Sequence, residues 1–105
     1  MQRIYELLDE VEKAEGPRIL VTIGTGPKIF HSGFSLDLWK QNPMFITDTA
    51  VILQQKLLPK IIKLNCPTMC VMNGHAVAGG LMFALCHDVR IISTKGKIWL
   101  SEINY

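Results

Sequence analysis

Ala78-Gly79-Gly80, at the centre of the run from Asn73 to Asp88 (NGHAVAGGLMFALCHD), and Glu102, fourteen residues beyond Asp88, are the residues whose types and spacing point to chemistry. A helix that opens on such small residues leaves backbone N–H groups unpaired at its first turn and aims the positive end of its dipole outward. A terminus of this kind holds anions. When the anion is an enolate oxygen developing in a transition state, fixed backbone donors are often the largest single catalytic contribution. Glu102, one carboxylate just past the next strand, is the matching candidate base.

Other spacings carry less. Gly24-Thr25-Gly26 follows a strand-like run, but the third glycine of a dinucleotide-binding G-x-G-x-x-G falls on Ile29 and no helix opens there. His31-Ser32 and Ser35 lack a G-x-S-x-G elbow, which argues against a hydrolase. His75, in a turn, and His87, at a helix end, read first as structural hydrogen-bonding groups and only second as acids or bases. Asp88 satisfies local donors, and Leu81, Met82 and Leu85 read as core. Cys66 and Cys70 lack the second closely spaced pair of a zinc site, so no metal is expected.

The elements that must position these residues alternate in type. Ile4, Leu7, Leu8 and Val11 recur at helical spacing between acids, so residues 2–15 form an amphipathic helix stopped by Gly16-Pro17. Residues 18–23 (RILVTI) suit a strand buried on both faces of a parallel sheet. The glycine-rich stretch 24–38 reads as a long loop of the kind that binds something. Asn42-Pro43 then supplies an N-cap and a first helical residue, opening a helix to about Leu64 that Pro59 should kink. A strand over 68–72, a short helix from Gly79 to about His87, a strand over 89–93 and a brief strand over 98–100 complete the order. Right-handed crossovers onto a single, mostly parallel sheet are the economical topology, with both glycine-bearing loops at strand C-termini, where ligands sit in α/β folds.

Composition bounds the function. The 105 residues fit one small domain; 49% are hydrophobic, and the mean hydropathy of +0.24 calls for surface covered by further chain or a partner. The net charge is +2 with scattered basic residues, which disfavours nucleic acid and anionic membrane surfaces. The three cysteines, without a signal peptide, favour reduced thiols. No apolar run reaches the ~18 residues of a membrane span, and no targeting signal is visible.

The segments FHSGFSLDLW, NGHAVAGGLMFALCHDVRI and WLSEINY, in this order and spacing, resemble the crotonase family, the enoyl-CoA hydratase/isomerase superfamily, over residues 18–104. The resemblance implies an α/β crotonase-like ββα-spiral core incomplete at both ends, with residues 1–105 forming a partial domain. It implies that two backbone N–H groups hold a thioester carbonyl, and by position these are Ser32 and Gly79. Coenzyme A, part of the substrate rather than a cofactor, would run along Lys28 to Leu38 with contacts near Ile29, Phe30, Ser32 and Phe34; Gly80 and Met82 join the substrate-binding positions. Hydratases of the family use two glutamates, one three residues after the oxyanion glycine, where Met82 stands, and one at the position of Glu102. Keeping a single base favours a double-bond shift from 3-enoyl-CoA to trans-2-enoyl-CoA in unsaturated fatty acid β-oxidation. HSGFSLDLW, His75 and SEI are closest to the short peroxisomal delta isomerases, so the resemblance implies a peroxisomal enzyme, with mitochondria the alternative. Dienoyl-CoA isomerases are disfavoured, because they carry further pocket acids. A complete family member is expected to form a homotrimer, which this length does not favour. A hydratase-like enzyme and a catalytically silent CoA-binding or assembly module are the alternatives, with RNA binding behind them.

Overall fold

The computed structural model describes residues 2–33 and 35–100. Helix α1 (Gln2–Lys13) buries Leu8 and half-buries Ile4 and Tyr5, and its last carbonyls are capped by a cation from downstream. The Arg18 guanidinium donates to Val11 O at 2.9 Å and to Gly16 O at 3.0 Å, the favoured charge at a helix C-terminus. It also donates to Asn65 Oδ1 at 2.8 Å, which fastens the end of a second helix to the first.

The chain then winds rather than lying flat. Strands β1 (Leu20–Ile23) and β2 (Ile29–His31) are followed by helices α2 (Leu36–Gln41) and α3 (Pro43–Ile62); β3 (Thr68–Met72) and β4 (His75–Val77) by α4 (Gly79–Leu85); and then come β5 (Val89–Ile92) and β6 (Ile98–Trp99). Each turn gives one strand to each of two parallel sheets, ordered β1-β3-β5 and β2-β4-β6. This is the ββα spiral that the family resemblance implies. It corrects the single sheet expected from element order.

Three elements depart from the sequence expectation. The stretch read as one loop contains β2 and α2, and the turn around His75 is β4. Both strands are three residues long and are held by neighbours in the second sheet, so neither shows a periodicity of its own. Helix α2 is started by Ser35, whose Oγ accepts the Leu38 N–H at 3.3 Å. Helix α3 begins at Pro43 and continues through Pro59 to Ile62.

The core lies between the helices and the sheets. Leu8, Leu57, Ile61 and Phe83 form one buried cluster, and Cys70, Met72, Ala76, Leu81 and Ala84 the other, with Phe30 packed against both. Burying each large side chain contributes about 1.5–3 kcal/mol. At the start of β3, the Asp88 carboxylate accepts from Thr68 N at 2.9 Å and from Thr68 Oγ1 at 3.1 Å, tying β3 to β5. The opposite face of the first sheet, with Val21, Ile23, Val89 and Ile91, is exposed, so β1 alternates in burial instead of being covered on both faces.

Candidate active site

β2 and β4 are parallel neighbours, with Ile29 opposite His75 and His31 opposite Ala76. Their C-terminal ends leave the sheet side by side, β2 into His31-Ser32-Gly33 and β4 into Ala78-Gly79-Gly80. Two glycines let these segments touch. A Cβ on Gly80 would overlap the His31 carbonyl oxygen and stand 2.6 Å from its carbonyl carbon, so only glycine admits the peptide that carries the Ser32 N–H. Gly33 has φ +88°, and a Cβ there would lie 3.3 Å from Gly79 N.

Ala78 turns β4 into α4 with φ 55° and ψ −128°, a left-handed conformation that costs a non-glycine residue about 1–3 kcal/mol. Its own N–H donates to Trp99 O at 3.0 Å, which locks β6 beside the turn. Its carbonyl accepts from Leu81 N at 3.0 Å and Met82 N at 3.1 Å. Among the described residues, no acceptor takes the N–H of Ser32 or of Gly79. Among the described residues, two backbone donors therefore stand without partners at adjoining strand ends.

A cavity of about 170 Å³ opens beside them, on the scale of the cavities that admit a benzene ring. Its wall includes Gly33 and Gly79, His31 and Gln54, and the apolar Leu57 and Phe83. Burial lowers the His31 pKa from its ordinary value, favouring the neutral imidazole. His87, behind α4, is buried and also lowered by desolvation; its ring joins Thr22 Oγ1 at 2.9 Å to Phe83 O at 3.1 Å. It fastens the end of α4 to β1. The three thiols are unpaired, and burial pushes Cys70 up to about 11.

Of the positions singled out in the sequence, Ser32 is exposed at the exit of β2 and Gly79 half-buried at the start of α4. His31 and Gly33, on either side of Ser32, are in the cavity wall, whereas Ser32 is not. Ile29 is exposed at the start of β2, Phe30 is packed between the core clusters, Gly80 is buried under the His31 peptide, and Met82 is half-buried on α4. Phe34 and Glu102 lie outside the described residues. The sequence reading passed over Gln54, Leu57, Leu58 and Phe83 as wall residues. Gln54, Leu57 and Leu58 were findable as an i, i+3, i+4 set on one face of α3.

A ββα spiral of two parallel sheets, with a cavity beside the adjoining ends of β2 and β4, defines the class as an α/β fold. The family model for enoyl-CoA hydratase/isomerase matches residues 1–105, and the chain belongs to that family, within the crotonase superfamily. It is 34% identical over 110 residues to the peroxisomal enoyl-CoA delta isomerase 2 of Arabidopsis thaliana, an alignment covering 96% of this chain and 45% of that protein. It is 39% identical over 88 residues to the (E)-benzylidenesuccinyl-CoA hydratase of Thauera aromatica, covering 82% and 33% respectively. The crystal structure of an enoyl-CoA hydratase from Bacillus anthracis shares the fold, with a TM-score of 0.89 at 21% identity over 98% of this chain and 40% of that one. The chain thus spans less than half the length of these relatives.

Proposed function

We propose that the chain carries the oxyanion-binding core of a Δ3,Δ2-enoyl-CoA isomerase. The observation that supports this most is the pair of amides, Ser32 N–H and Gly79 N–H, that find no acceptor among the described residues, at adjoining ends of β2 and β4 beside an apolar cavity. The thioester carbonyl of a 3-enoyl-CoA accepts from both. As a base removes a proton from C2, negative charge moves onto that oxygen, and donors already in place stabilise it without reorganising. The C3–C4 double bond becomes C2–C3 when the same proton carrier returns a proton to C4, so one carboxyl group suffices and nothing is added or lost.

Glu102 is the residue proposed for that carboxyl. It follows Trp99 by three residues, a length of chain that reaches at most about 11 Å, and Trp99 is itself hydrogen-bonded to the turn that presents Gly79. Met82, where hydratases of this family are expected to carry a second carboxylate, brings no group able to activate water. The similarity to peroxisomal delta isomerases favours the same compartment and a role in unsaturated fatty acid oxidation. The similarity to a hydratase favours water addition as the second reading.

The test is conversion of 3-hexenoyl-CoA to the conjugated 2-enoyl thioester by the wild type and by Glu102→Gln. Loss of roughly 10²- to 10⁴-fold in rate is expected for removal of the proton carrier. Isomerisation that persists in the variant refutes the assignment of Glu102. A wild type that forms the 3-hydroxy thioester from 2-hexenoyl-CoA but no 2-enoyl product from 3-hexenoyl-CoA establishes the hydratase reading instead.

A further inference from the structure

The imidazole of His31 turns back along its own chain, and Nδ1 accepts the N–H of Gly33 at 3.0 Å. A side-chain acceptor two residues before the donor closes the ring by which Asn and Asp fix turns, and here a histidine closes it around Ser32. Because Nδ1 accepts, the ring proton is on Nε2 and the imidazole is neutral.

The outer edge of the imidazole is held as well. Its centroid lies 5.8 Å from that of Phe83, a buried core residue, and 6.4 Å from that of Phe30. On the other side, the His31 carbonyl is pressed against Gly80 on α4. The peptide between His31 and Ser32 is therefore fixed from both ends.

We infer that His31 is a positioning residue, whose side-chain bond to Gly33 aims the Ser32 N–H into the oxyanion site. This rests on the proposed role of Ser32 as a donor and gives that site a third participant, which acts through the Ser32 amide. Preorganisation is the physical content: without the ring, the amide must be oriented at the moment of reaction, and part of its stabilisation is lost. The serine hydroxyl has no part in it.

Two substitutions separate the bond from the bulk. In His31→Asn, Oδ1 stands where Nδ1 stood and the ring re-forms; His31→Leu fills a similar space with no acceptor. With 3-hexenoyl-CoA, His31→Leu is expected to lower kcat by about 10- to 10²-fold, less than the ~10²- to 10³-fold of deleting a donor outright, while KM stays within about twofold. His31→Asn should stay within about threefold of wild type. In parallel, amide exchange at Gly33 should quicken roughly 2- to 10-fold in the leucine variant alone, the scale of one net hydrogen bond. Unchanged Gly33 exchange in His31→Leu overturns the ring, and unchanged kcat there, or equal losses in both variants, overturns the positioning role. A wild type that turns over no 3-enoyl thioester overturns the isomerase reading and with it the catalytic consequence, whereas Gly33 exchange still decides whether the ring exists.

Discussion

Gly80→Ala is the sharpest probe of how the two amides are held together. The added Cβ would overlap the His31 carbonyl oxygen and approach the carbonyl carbon to 2.6 Å and His31 Cβ to 2.7 Å. Non-bonded carbons rest at about 3.5–4.0 Å, so β2 and α4 must separate by roughly 1 Å. Backbone gives way less cheaply than the end of a flexible side chain, and overpacking of this kind costs about 1–3 kcal/mol. Alanine returns at most about 1 kcal/mol in helix propensity. The net loss of about 0–2 kcal/mol lowers the melting temperature by up to roughly 15 °C in a chain of this size. Activity should suffer more, since a displacement of ~1 Å in a reacting constellation costs about 10²-fold. The assay is initial rates with 3-hexenoyl-CoA at a temperature where circular dichroism shows the variant folded, beside thermal unfolding of both proteins. A variant with kcat/KM within about threefold of wild type and an unchanged melting temperature would refute the claim that the His31–Ser32 peptide needs a bare α-carbon on α4.

The strained Ala78 predicts the opposite sign for stability: Ala78→Gly removes about 1–3 kcal/mol of backbone strain against about 0.4–1 kcal/mol of added unfolded-state entropy, so urea unfolding should show a gain of about 1 kcal/mol. Leu57→Ala opens the cluster between α1, α3 and α4 and is expected to cost about 2–5 kcal/mol, read as a drop in the urea midpoint; a change below about 1 kcal/mol would contradict the burial of Leu57. His31 and His87 both have pKa values lowered in the fold by burial, so the unfolded chain takes up protons first as pH falls. Their contribution to stability is complete above the unfolded value of about 6.5 and is lost below it, down to their folded values, with a limiting slope of about 1.4 kcal/mol per pH unit for each. Urea unfolding at pH 7.5 and 5.5 checks this, and equal or greater stability at pH 5.5 contradicts it.

Legibility in the sequence followed element length and locality. α1 was read from its apolar spacing, α3 from its Asn42-Pro43 start and β3 as a short apolar run, each within two residues of its ends, and the start of α4 is marked by Gly79-Gly80. β2 and β4 could not be read so. Three residues hold no period, and they become strands through neighbours some twenty to fifty residues away. The same non-locality hid the division into two sheets, since element order alone is satisfied by one parallel sheet. It also hid the cavity wall, where Gln54 and Leu57 from α3 meet Gly33 and Gly79 from the strand ends. The helix start at Gly79 was legible from its small residues, whereas Ser32 was proposed as a donor only through a family resemblance.

The helix terminus contributes less than its residue types suggest. α4 has seven residues, two turns, and is a modest source of dipole. The sheet brings the two proposed donors near each other without aligning them: with His31 opposite Ala76, Ser32 falls beside Val77, and Gly79 follows two residues further on. An oxygen held by two N–H groups at about 2.7–3.1 Å requires their nitrogens to be no more than about 6 Å apart, so the register of the strands and the turn at Ala78 have to set that spacing together. Side chains then only refine it: Gly80 permits the approach, Ala78 turns the second strand into the helix, and His31 holds the first. A substitution that slips β2 against β4 should therefore harm turnover more than one that shortens α4 at its far end, because the spacing of the donors belongs to the strand register and the turn.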